Sequence, residues 1–405
     1  MRSVEEHQRV VAGLIRARPA VVVALPDAGG LTLATDVVAP LSLPMFDNSA
    51  MDGYAVMVAD VAAAEPGSPV RLPVAEDIPA GRTDSVVLAA GTAHRIMTGA
   101  PLPDGATAVV PVELTDAGVR VVTVQKAPAP GQHIRRAGED VTAGTTVLRA
   151  GQVVTPAALG LVAALGLAEL TVTPPQRVLV VSTGSELIGP GTALQPGQIH
   201  ESNGVMLAAA VREAGAQVAG VQMCSDDADE FRAVLDDYTG RCDLVITSGG
   251  VSAGAYEVVK DAFGVGTPNR AGGVEFAKVA MQPGMPQGAG TLADGRGIVT
   301  LPGNPVSALV SFEVFLRPAL RSAMGMPDTE RARRTATLTE TISSPPGKRQ
   351  FRRGVYDPDA GTVASYGPPA SHHLRWLATA NCLLDIGADV TGIAAGEQVT
   401  IWDLS

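Results

Sequence analysis

The sequence predicts a multidomain protein that combines a central α/β domain with β-rich domains on either side of it. Its 405 residues exceed the usual size of a single hydrophobic core, so we expect about two to four domains. Between residues 177 and 263 strand and helix patterns alternate regularly, which predicts a mostly parallel sheet covered by helices. Short β-rich runs separated by Gly and Pro turns precede and follow that region, and they predict smaller β domains.

The N-terminal part of the sequence predicts a small mixed domain that is interrupted by a β-rich insert. Apolar positions at helical spacing predict a helix over Val4–Ala17, and Leu31–Val38 predicts a strand. Short β-rich runs from Val70 to Val124 predict the insert, and Thr155–Ala164 predicts a second helix after it. After Pro327 the sequence again predicts short strands separated by turns. The expected domains are residues 1–44 with 143–173 (N-terminal, discontinuous), 45–142 (β insert), 174–326 (α/β) and 327–405 (C-terminal β).

The α/β domain begins after the stiff segment Thr173-Pro174-Pro175. Ligands bind such sheets beyond the C-terminal ends of the strands, so the loops that follow the strands are the first place to look for a site. The predicted elements are strand Arg177–Ser182, helix Asn203–Glu213, strand Ala216–Gln222, helix Asp229–Tyr238, strand Leu244–Ser248, helix Tyr256–Phe263, strands Val274–Met281 and Gly297–Leu301, and helix Pro305–Arg321.

The composition favours a folded cytoplasmic enzyme and argues against several other classes of protein. A formal net charge of −11 disfavours a nucleic-acid partner, which would require a basic surface. Cys224, Cys242 and Cys382 form no CxxC pair, so the sequence indicates neither a disulfide scaffold nor a structural zinc site. The first residues lack a signal-peptide pattern, and no apolar run approaches the length of a membrane span. We therefore expect no membrane partner.

The most informative feature is a pair of glycine-rich turns, each placed between a predicted strand and a predicted helix. They are CDLVITSGGVSAG at Cys242–Gly254 and GIVTLPGNPVSALVSF at Gly297–Phe312. Each presents bare backbone N–H groups at a helix N-terminus, where the helix dipole favours an anion, most often a phosphate. Either turn alone is also compatible with an ordinary strand-to-helix connection. Two of them in one α/β unit favour a phosphorylated small molecule as the ligand.

Carboxylates also follow the predicted strands of the α/β domain. Glu186 follows the first strand, Asp226 and Asp227 follow the second, and Glu257 comes after the first glycine turn. In a parallel sheet these positions share one rim, and carboxylates beside a phosphate suit Mg²⁺. Each acid could instead cap the helix that it precedes, because acids favour helix N-termini. The residues alone leave both interpretations open.

Polar and basic motifs outside the α/β domain add candidates for anion binding. In the first half these are NSAMDGYAV (Asn48–Val56), MTGAPLP (Met97–Pro103) and IRRAGED (Ile134–Asp140), which turn chemistry and surface ion pairs also explain. The late segment GKRQFRRGV (Gly347–Val355) is the densest positive patch. It is either a solvated strand face or an anion clamp. His372-His373 has no third ligand at a recognisable spacing, so we expect surface or turn residues there.

Six motifs occur in the order found in the MoeA proteins, the molybdopterin molybdenumtransferases, which are similar to the E domain of gephyrin. They are NSAMDGYAV, MTGAPLPDGATAVVPVE, IRRAGED, STGSEL, SGGVSAG and LPGNPVSALVSF. The sequence resembles this family over nearly its whole length. The resemblance implies an elongated four-domain subunit whose MogA-like α/β domain binds molybdopterin. It also implies a homodimer, in which the active cleft lies between the α/β domain of one subunit and the β insert of the other.

The activity implied by the resemblance is the insertion of molybdate into the dithiolene of adenylylated molybdopterin, with release of AMP and assistance by Mg²⁺. The product would pass to molybdenum enzymes. Two other functions stay open: a molybdopterin adenylyltransferase, because MogA-type domains use ATP, and a non-catalytic molybdopterin-binding scaffold, because gephyrin is similar. The surrounding domains and the motif NSAMDGYAV favour the insertase.

The resemblance also implies roles for individual residues, and none of them need be a covalent nucleophile. Glu186, Asp226 and Glu257 would hold Mg²⁺, and Lys278 and the arginines would bind phosphate or molybdate. The residues implied as catalytic are Asp52, Thr98, Glu186, Asp226, Glu257 and Lys278. Those implied to bind substrate are Arg135, Asp140, Gly249, Gly250, Ser252, Pro302, Gly303, Asn304, Pro305, Ser307, Arg353 and Ser371. Thr183, Gly184 and Ser248 are further candidates, because hydroxyls and glycine at the ends of strands can bind oxyanions.

Four positions depart from the pattern of the family. After SGGVSAG the family usually has an acid, one intervening residue and Asp, whereas this sequence has Ala255-Tyr256-Glu257. Gln282 and Met285 stand where the family often has lysines. The loss of two positive charges predicts weaker capture of anions, as in a paralogue with an altered substrate or reduced activity.

Overall fold

The computed structural model begins with a helix that belongs to the core of a later part of the chain. Helix α1 (Val4–Leu14) starts at a capping box formed by Ser3 and Glu6, and it ends before the predicted Ala17. Its buried face packs in one hydrophobic cluster with residues of the central sheet and of the helix that follows that sheet. The first segment is therefore anchored on the central part. The described residues are 1–250, 258–263 and 273–404.

Three short strands follow the first helix. They are β1 (Val21–Ala24), β2 (Thr32–Leu33) and β3 (Val37–Val38). The structure therefore splits the predicted strand Leu31–Val38 into two. The chain bends between them, and β3 pairs with a different partner strand from β2.

The β insert contains a five-stranded sheet with a two-stranded sheet beside it. Its strands are β4 (Asn48–Ser49), β5 (Gly53–Val56), β6 (Val70–Ile78), β7 (Ala93–Ile96), β8 (Ala108–Pro111), β9 (Val121–Val124) and β10 (Ile134–Arg135). The larger sheet has the order β8-β5-β7-β6-β9, and β4 pairs with β10. A Cβ on Gly53 would lie 2.0 Å from the carbonyl oxygen of Val110 on the next strand. Only glycine permits this spacing, which fixes Asp52 at the start of β5.

The chain then returns to the strands that precede the insert. It forms β11 (Thr146–Leu148), α2 (Pro156–Ala164) and β12 (Glu169–Thr173), and the side chain of Thr155 caps α2. Strand β12 pairs with both β1 and β2, and β11 pairs with β3. Leu33 and other side chains of both segments share one hydrophobic cluster. Strand pairing thus joins the two segments at the base of the insert.

The central part of the chain forms the six-stranded sheet that orients the candidate site. Its elements are β13 (Arg177–Thr183), β14 (Leu187–Ile188), β15 (Ile199–His200), α3 (Asn203–Glu213), β16 (Gln217–Cys224), α4 (Ala228–Asp237), β17 (Leu244–Ser248), α5 (Val258–Phe263), β18 (Gly273–Lys278), β19 (Met281–Gln282), β20 (Pro286–Thr291) and β21 (Gly297–Leu301). The strand order is β16-β13-β17-β21-β20-β18. The first four strands are parallel, whereas β20 is antiparallel to both of its neighbours. The mostly parallel sheet expected from the sequence is confirmed.

The last helix of the central part is interrupted by a π-helical turn. The sequence predicts one helix over Pro305–Arg321, but the structure has α6 (Pro305–Ser311), a π turn at Phe312–Leu316 and α7 (Arg317–Ala323). Every residue of the π turn is buried. Such turns occur inside α-helices as single turns, so the prediction of one continuous helix does not distinguish this one. No helix in the described ranges is both long and apolar enough to cross a membrane.

The C-terminal part forms a small closed barrel, and one strand of the central part pairs with it from outside. Its elements are β22 (Arg333–Leu338), β23 (Ile342–Ser343), β24 (Arg349–Asp357), β25 (Thr362–Ser365), α8 (Leu374–Leu377), β26 (Cys382–Ile386), β27 (Gly392–Ile393) and β28 (Gln398–Asp403). Strands β24, β25, β22, β28 and β26 are successive neighbours, and β26 pairs again with β24 to close the ring. Strand β19 pairs in parallel with β24 outside that ring.

A buried cluster of ion pairs joins the central part to the segment that leads into the barrel. Glu313, in the π turn, has only 4% of its side chain exposed. Arg331 donates to both oxygens of this carboxylate over 2.9 and 3.0 Å, and it also lies 2.6 Å from a carboxylate oxygen of Glu213. Arg317 approaches Glu313 at 3.9 Å. The cluster therefore fixes the start of the barrel against α3 and the π turn.

Replacing Glu313 with alanine should lower stability more than a surface change of the same kind. Arg331 and Arg317 would lose the carboxylate that lies between them, and breaking a buried pair typically costs about 3–5 kcal/mol. The matched control is Glu330→Ala, since the pair of Glu330 with Arg333 leaves 47% and 44% of the side chains exposed. That change should cost less than about 1 kcal/mol. Urea denaturation followed by circular dichroism measures both, and equal losses would contradict the expectation.

Candidate active site

Parallel pairing brings four loops to one edge of the central sheet. Thr183, the last residue of β13, pairs with Cys224 at the end of β16. Ser182 pairs with Ser248 at the end of β17, which in turn pairs with Leu301 at the end of β21. The segments after these strands therefore start side by side, at the edge where ligands bind in open α/β sheets. This arrangement places both glycine turns and two of the candidate carboxylates on one rim.

The first glycine turn depends on the absence of a side chain at Gly249. Gly249 and Gly250 have left-handed backbone conformations, with φ of +96° and +68°. A Cβ on Gly249 would lie 2.7 Å from the carbonyl oxygen of Thr183 and 2.8 Å from its hydroxyl oxygen. The Gly249 N–H donates to the carbonyl of Leu301 over 3.1 Å. Glycine thus allows three strand ends to approach closely. Ser252, later in the same motif, lies outside the described residues.

Two of the candidate metal ligands, Glu186 and Asp226, lie on adjoining loops of this edge. The Ser185 N–H donates to Asp226 Oδ2 over 3.0 Å, and the Asp226 N–H donates to Ser185 Oγ over 3.1 Å, so the loops are tied together. The Glu186 carboxylate folds over Gly184, where a Cβ would lie 2.6 Å from Glu186 Oε2. Both acids are exposed to solvent.

Exposed carboxylates on adjoining loops fit Mg²⁺, which takes one or two carboxylates and completes its octahedron with water and phosphate oxygens. The third candidate ligand, Glu257, lies outside the described residues. Within the part of the chain that the structure describes, no group of three or more His, Cys, Asp and Glu residues is placed to hold a metal. The Mg²⁺ site therefore stays a prediction that rests on Glu186 and Asp226.

Asp227 caps a helix, as the alternative interpretation of the acids predicts. It is the N-cap of α4, and its Oδ1 accepts from the N–H groups of Asp229 and Glu230 over 2.8 and 3.0 Å. The N–H groups of Glu230 and Asp229 lower the pKa of Asp227. Adjacent acids thus have different partners: Asp227 caps the helix, and Asp226 bonds to the loop after β13.

Two buried side chains at this edge, Glu201 and Asn203, were not among the candidates from the sequence. Each is 8% exposed. Glu201 Oε1 accepts from Ser182 Oγ over 2.8 Å, and Asn203 Nδ2 donates to Ser248 Oγ over 2.7 Å and to the carbonyl of Gly303 over 2.6 Å. Asn203 stands at the start of a predicted helix, where a polar residue is ordinary, so only three-dimensional contacts reveal this network.

The second glycine turn contacts a loop of the C-terminal barrel. Asn304 Nδ2 donates to Ser371 Oγ over 3.0 Å, and the Val306 N–H donates to the Ser371 carbonyl over 3.1 Å. The structure therefore brings Ser371, a candidate from a distant part of the sequence, to the start of α6. Of the candidate residues in this turn, Gly303 and Asn304 are exposed, Pro305 is half-buried, and Pro302 and Ser307 are buried.

Arg353 supports the barrel loop that carries Ser371. Its side chain is buried, and its guanidinium donates to the carbonyl of His373 over 3.0 Å and to the carbonyl of Pro368. Burial, and then the neighbouring Arg352, lower the pKa of Arg353. Loop carbonyls thus engage this cation, so its described contacts position Ser371 and do not present a free charge to an anion.

Arg349, in the same basic segment, is neither on a solvated strand face nor in an anion clamp. Its guanidinium donates to both oxygens of Asp385 over 2.8 and 2.7 Å and to Glu5 over 2.7 Å. Only 19% of its side chain is exposed. The sequence shows the cluster of charges but not the acids, distant in the chain, that neutralise it.

The β insert holds a second group of candidates, of which Asp52 and Thr98 form a hydrogen-bonded pair. Asp52 Oδ1 accepts from the Thr98 N–H over 2.6 Å and from Thr98 Oγ1 over 2.7 Å. The hydroxyl of Thr98, and then its N–H, lower the pKa of Asp52, so this exposed acid is ionised at neutral pH. Asn48, in β4, pairs with exposed Arg135 on one side and forms a bridge to Pro101 on the other. These residues therefore share one end of the insert.

The hydrogen bonds described for the insert group and for the central group do not connect the two groups. The contacts given above for Asp52 and Thr98 stay within the insert, and the Asp140 N–H donates to the nearby carbonyl of Leu43 over 3.0 Å. The hydrogen bonds of the central group connect Asn203 with both glycine turns, and the second turn with the loop of Ser371. None of these contacts, all between described residues, joins the two groups.

Lys278 lies at the same edge of the central sheet as the glycine turns, but farther along it. Strand β18 is antiparallel to β20, which is antiparallel to β21, so Lys278 and Leu301 end strands that run in the same direction. One strand lies between them, which corresponds to about 10 Å at the usual strand spacing. Gln282, one of the expected departures from the family pattern, accepts from Gln350 Nε2 over 3.1 Å. Its described contact is therefore to another neutral amide.

Comparisons with known proteins agree with this architecture. Three family descriptions match successive parts of the chain: "MoeA N-terminal region (domain I and II)" at residues 2–166, "Probable molybdopterin binding domain" at 179–322, and "MoeA C-terminal region (domain IV)" at 335–404. The chain is also 67% identical to molybdopterin molybdenumtransferase 2 of Mycobacterium tuberculosis, over 100% of both chains. The chain belongs to the MoeA family. The resemblance inferred from the six motifs is therefore confirmed.

More distant MoeA proteins share the whole architecture. Molybdopterin molybdenumtransferase 1 of Mycobacterium tuberculosis is 37% identical over 99% of this chain and 98% of its own length. Two solved structures of the molybdopterin biosynthesis MoeA protein of Pyrococcus horikoshii cover 100% of this chain and 99% and 100% of their own, with TM-scores of 0.82 and 0.77 at 28% identity. The expected multidomain fold of α/β and β parts is confirmed.

Substituting Gly249 with alanine should damage this edge of the sheet more than the same change at Gly303. The new Cβ would overlap Thr183 and would hold a left-handed backbone conformation, which together typically cost about 1–3 kcal/mol or more. At Gly303 the nearest atom to a new Cβ lies 3.6 Å away, so less than about 1 kcal/mol is expected there. Thermal unfolding of both variants tests the difference. Equal stability of Gly249→Ala and the wild type would contradict the close approach.

Proposed function

We propose that this chain carries the activity for which its relatives are named, molybdopterin molybdenumtransferase, in the synthesis of the molybdenum cofactor. The observation that carries the proposal is the convergence of two glycine turns with Glu186 and Asp226 on one edge of the sheet. Bare backbone donors suit phosphate groups, and the adjoining carboxylates suit a divalent cation. In its finer form, the reaction inserts molybdate into adenylylated molybdopterin and releases AMP.

Each part of the central edge has a role in this reaction. The N–H groups of Gly249 and Val306 donate to the carbonyls of Leu301 and Ser371, so other N–H groups of the glycine turns bind the phosphates of the substrate. The Thr183 hydroxyl, which donates to the Ser248 carbonyl over 3.4 Å, holds β13 against the first turn. Glu186 and Asp226 would hold Mg²⁺, which when bound withdraws charge from the bridge between phosphates and makes AMP a better leaving group. Exposed Lys278 attracts the anionic reactants from farther along the edge.

The insert group completes the active cleft from a second copy of the chain. Asp52, Thr98 and Arg135 are exposed, and their contacts do not reach the central edge of the same chain. A homodimer that sets the insert of one subunit over the central edge of the other would bring an ionised acid and a cation to the substrate. The protein would act in the cytoplasm, and its product would pass to molybdenum enzymes.

The assay of AMP release separates this function from its alternatives. An insertase releases AMP from adenylylated molybdopterin only when molybdate is present. Turnover of ATP without molybdate would favour an adenylyltransferase, and binding without turnover would favour a scaffold. The matches to the MoeA N-terminal and C-terminal regions favour the insertase, because a MogA-type domain alone would lack those regions.

Glu186→Ala and Asp226→Ala should each lower the rate of AMP release while the protein stays folded, because each removes a proposed ligand of Mg²⁺. We expect losses of at least about 10-fold in kcat/KM at saturating Mg²⁺. The matched control is Asp227→Ala, which removes a helix cap and should cost about 0.5–2 kcal/mol of stability without changing AMP release. Unchanged Mg²⁺-dependent turnover in both of the first two variants would refute the metal assignment.

Coexpression of two inactive variants tests the shared cleft. In a dimer of Asp52→Ala with Asp226→Ala, a cleft built from two subunits leaves one of the two sites with both groups intact. Random pairing should therefore restore about 25% of wild-type AMP release, because half of the dimers are mixed. A cleft within one subunit leaves every site defective, so no recovery would refute the shared arrangement. Dimers of each variant alone are the controls.

A further inference from the structure

The side chain of Asn203 spans the gap between the two glycine turns. Its Nδ2 donates to Ser248 Oγ, just before the first turn, and to the carbonyl of Gly303, within the second. The distances are 2.7 and 2.6 Å, and only 8% of the residue is exposed. Both hydrogens of one amide nitrogen are therefore used to connect two strand ends.

The carbonyl of Gly303 fixes the orientation of this amide. A flipped side chain would set Asn203 Oδ1 against the Gly303 oxygen, and two acceptors cannot share a hydrogen bond. Oδ1 is buried and has no hydrogen-bond partner among the described residues. A buried amide oxygen without a partner carries a desolvation cost, so the two bonds made by Nδ2 offset a real penalty.

Glu201 holds the segment from which Asn203 projects. Its Oε1 accepts from Ser182 Oγ over 2.8 Å and from the Gly204 N–H over 2.6 Å. The N-cap residue Ser202 makes no capping bond with its side chain, so Glu201 instead accepts from an N–H group in the first turn of α3. The N–H of Glu201 also donates to the carbonyl of Ile188 over 2.9 Å. The start of α3 is therefore fixed to the end of β13.

We propose that Asn203 is a positioning residue that holds the two glycine turns at the separation required by the phosphate groups of the substrate, with Glu201 fixing Asn203 in place. This role rests on the proposed function. Asn203 is buried behind the turns and acts through them. Its loss lets the two turns separate, which weakens substrate binding, while Glu186 and Asp226 keep their places on adjoining loops.

The Asn203→Asp variant is the sharpest test because it keeps the shape of the side chain. The ionised carboxylate has no hydrogen to donate, and it repels the carbonyl oxygen of Gly303. We expect KM for adenylylated molybdopterin to rise about 10- to 100-fold, with a smaller change in kcat. Ser202→Ala, one residue earlier and without a side-chain cap bond, is the matched control and should match the wild type.

The pH dependence of KM in Asn203→Asp distinguishes a positioning role of Asn203 from general damage to the fold. Once protonated, the carboxyl group introduced by Asn203→Asp can donate one of the two lost hydrogen bonds, and burial beside oxygen acceptors favours protonation. The KM of Asn203→Asp should therefore approach that of the wild type as the pH is lowered, whereas Asn203→Ala should show no such recovery. The two variants differ only at residue 203, so a recovery seen in Asn203→Asp alone is due to the introduced carboxyl group.

Hydrogen exchange in the absence of substrate gives a readout that does not depend on the proposed activity. Peptides over residues 244–250 and 297–304 should exchange faster in Asn203→Asp and Asn203→Ala than in Ser202→Ala. Unchanged exchange and an unchanged KM would overturn the proposal, as would loss of folded protein in both variants, which would indicate a general structural role. A wild-type protein that neither binds nor turns over the substrate refutes the proposed function instead, and faster exchange in the variants would still support the link between the turns.

Discussion

The candidate site depends on the close parallel approach of β13, β17 and β21. Their last residues are aligned in register, and Gly249 lies against the backbone of Thr183 because it has no side chain. This contact brings loops from three widely separated parts of the sequence to one rim. Backbone donors at that rim have fixed directions because the strands behind them are buried on both faces, so little reorganisation is needed when an anion binds.

The charges around this rim are arranged unlike those of a simple basic pocket. Loop carbonyls surround Arg353, carboxylates neutralise Arg349, and Gln282 is paired with another amide. The central edge therefore presents backbone N–H groups and two exposed acids, Glu186 and Asp226. Exposed positive charge is found instead on Arg135 of the insert and on Lys278 at the far end of the edge. Such a division would suit the proposed reaction, which has two different anions as substrates.

The alternation of strand and helix patterns in the sequence predicted the central sheet. Glycines between a predicted strand and a predicted helix predicted the positions of both turns. Other features depend on contacts that a linear pattern does not contain. In the sequence, Asn203 looks like an ordinary helix start, and the π turn lies inside what is predicted as one long helix. The acids that neutralise Arg349 are far away in the chain. Ser252 and Glu257 lie outside the described residues, so their placement stays a prediction.

The pairing of β19 with β24 has a consequence for how this architecture can vary. Met281 and Gln282 belong in sequence to the central part, yet their backbone partners are Arg349 and Gln350 of the barrel. A shortened protein that stopped before residue 333 would leave β19 without its partner strand β24. It would also lose the barrel loop that contacts Asn304. Recombination could therefore replace the barrel only with another domain whose strand pairs with β19 in the same way.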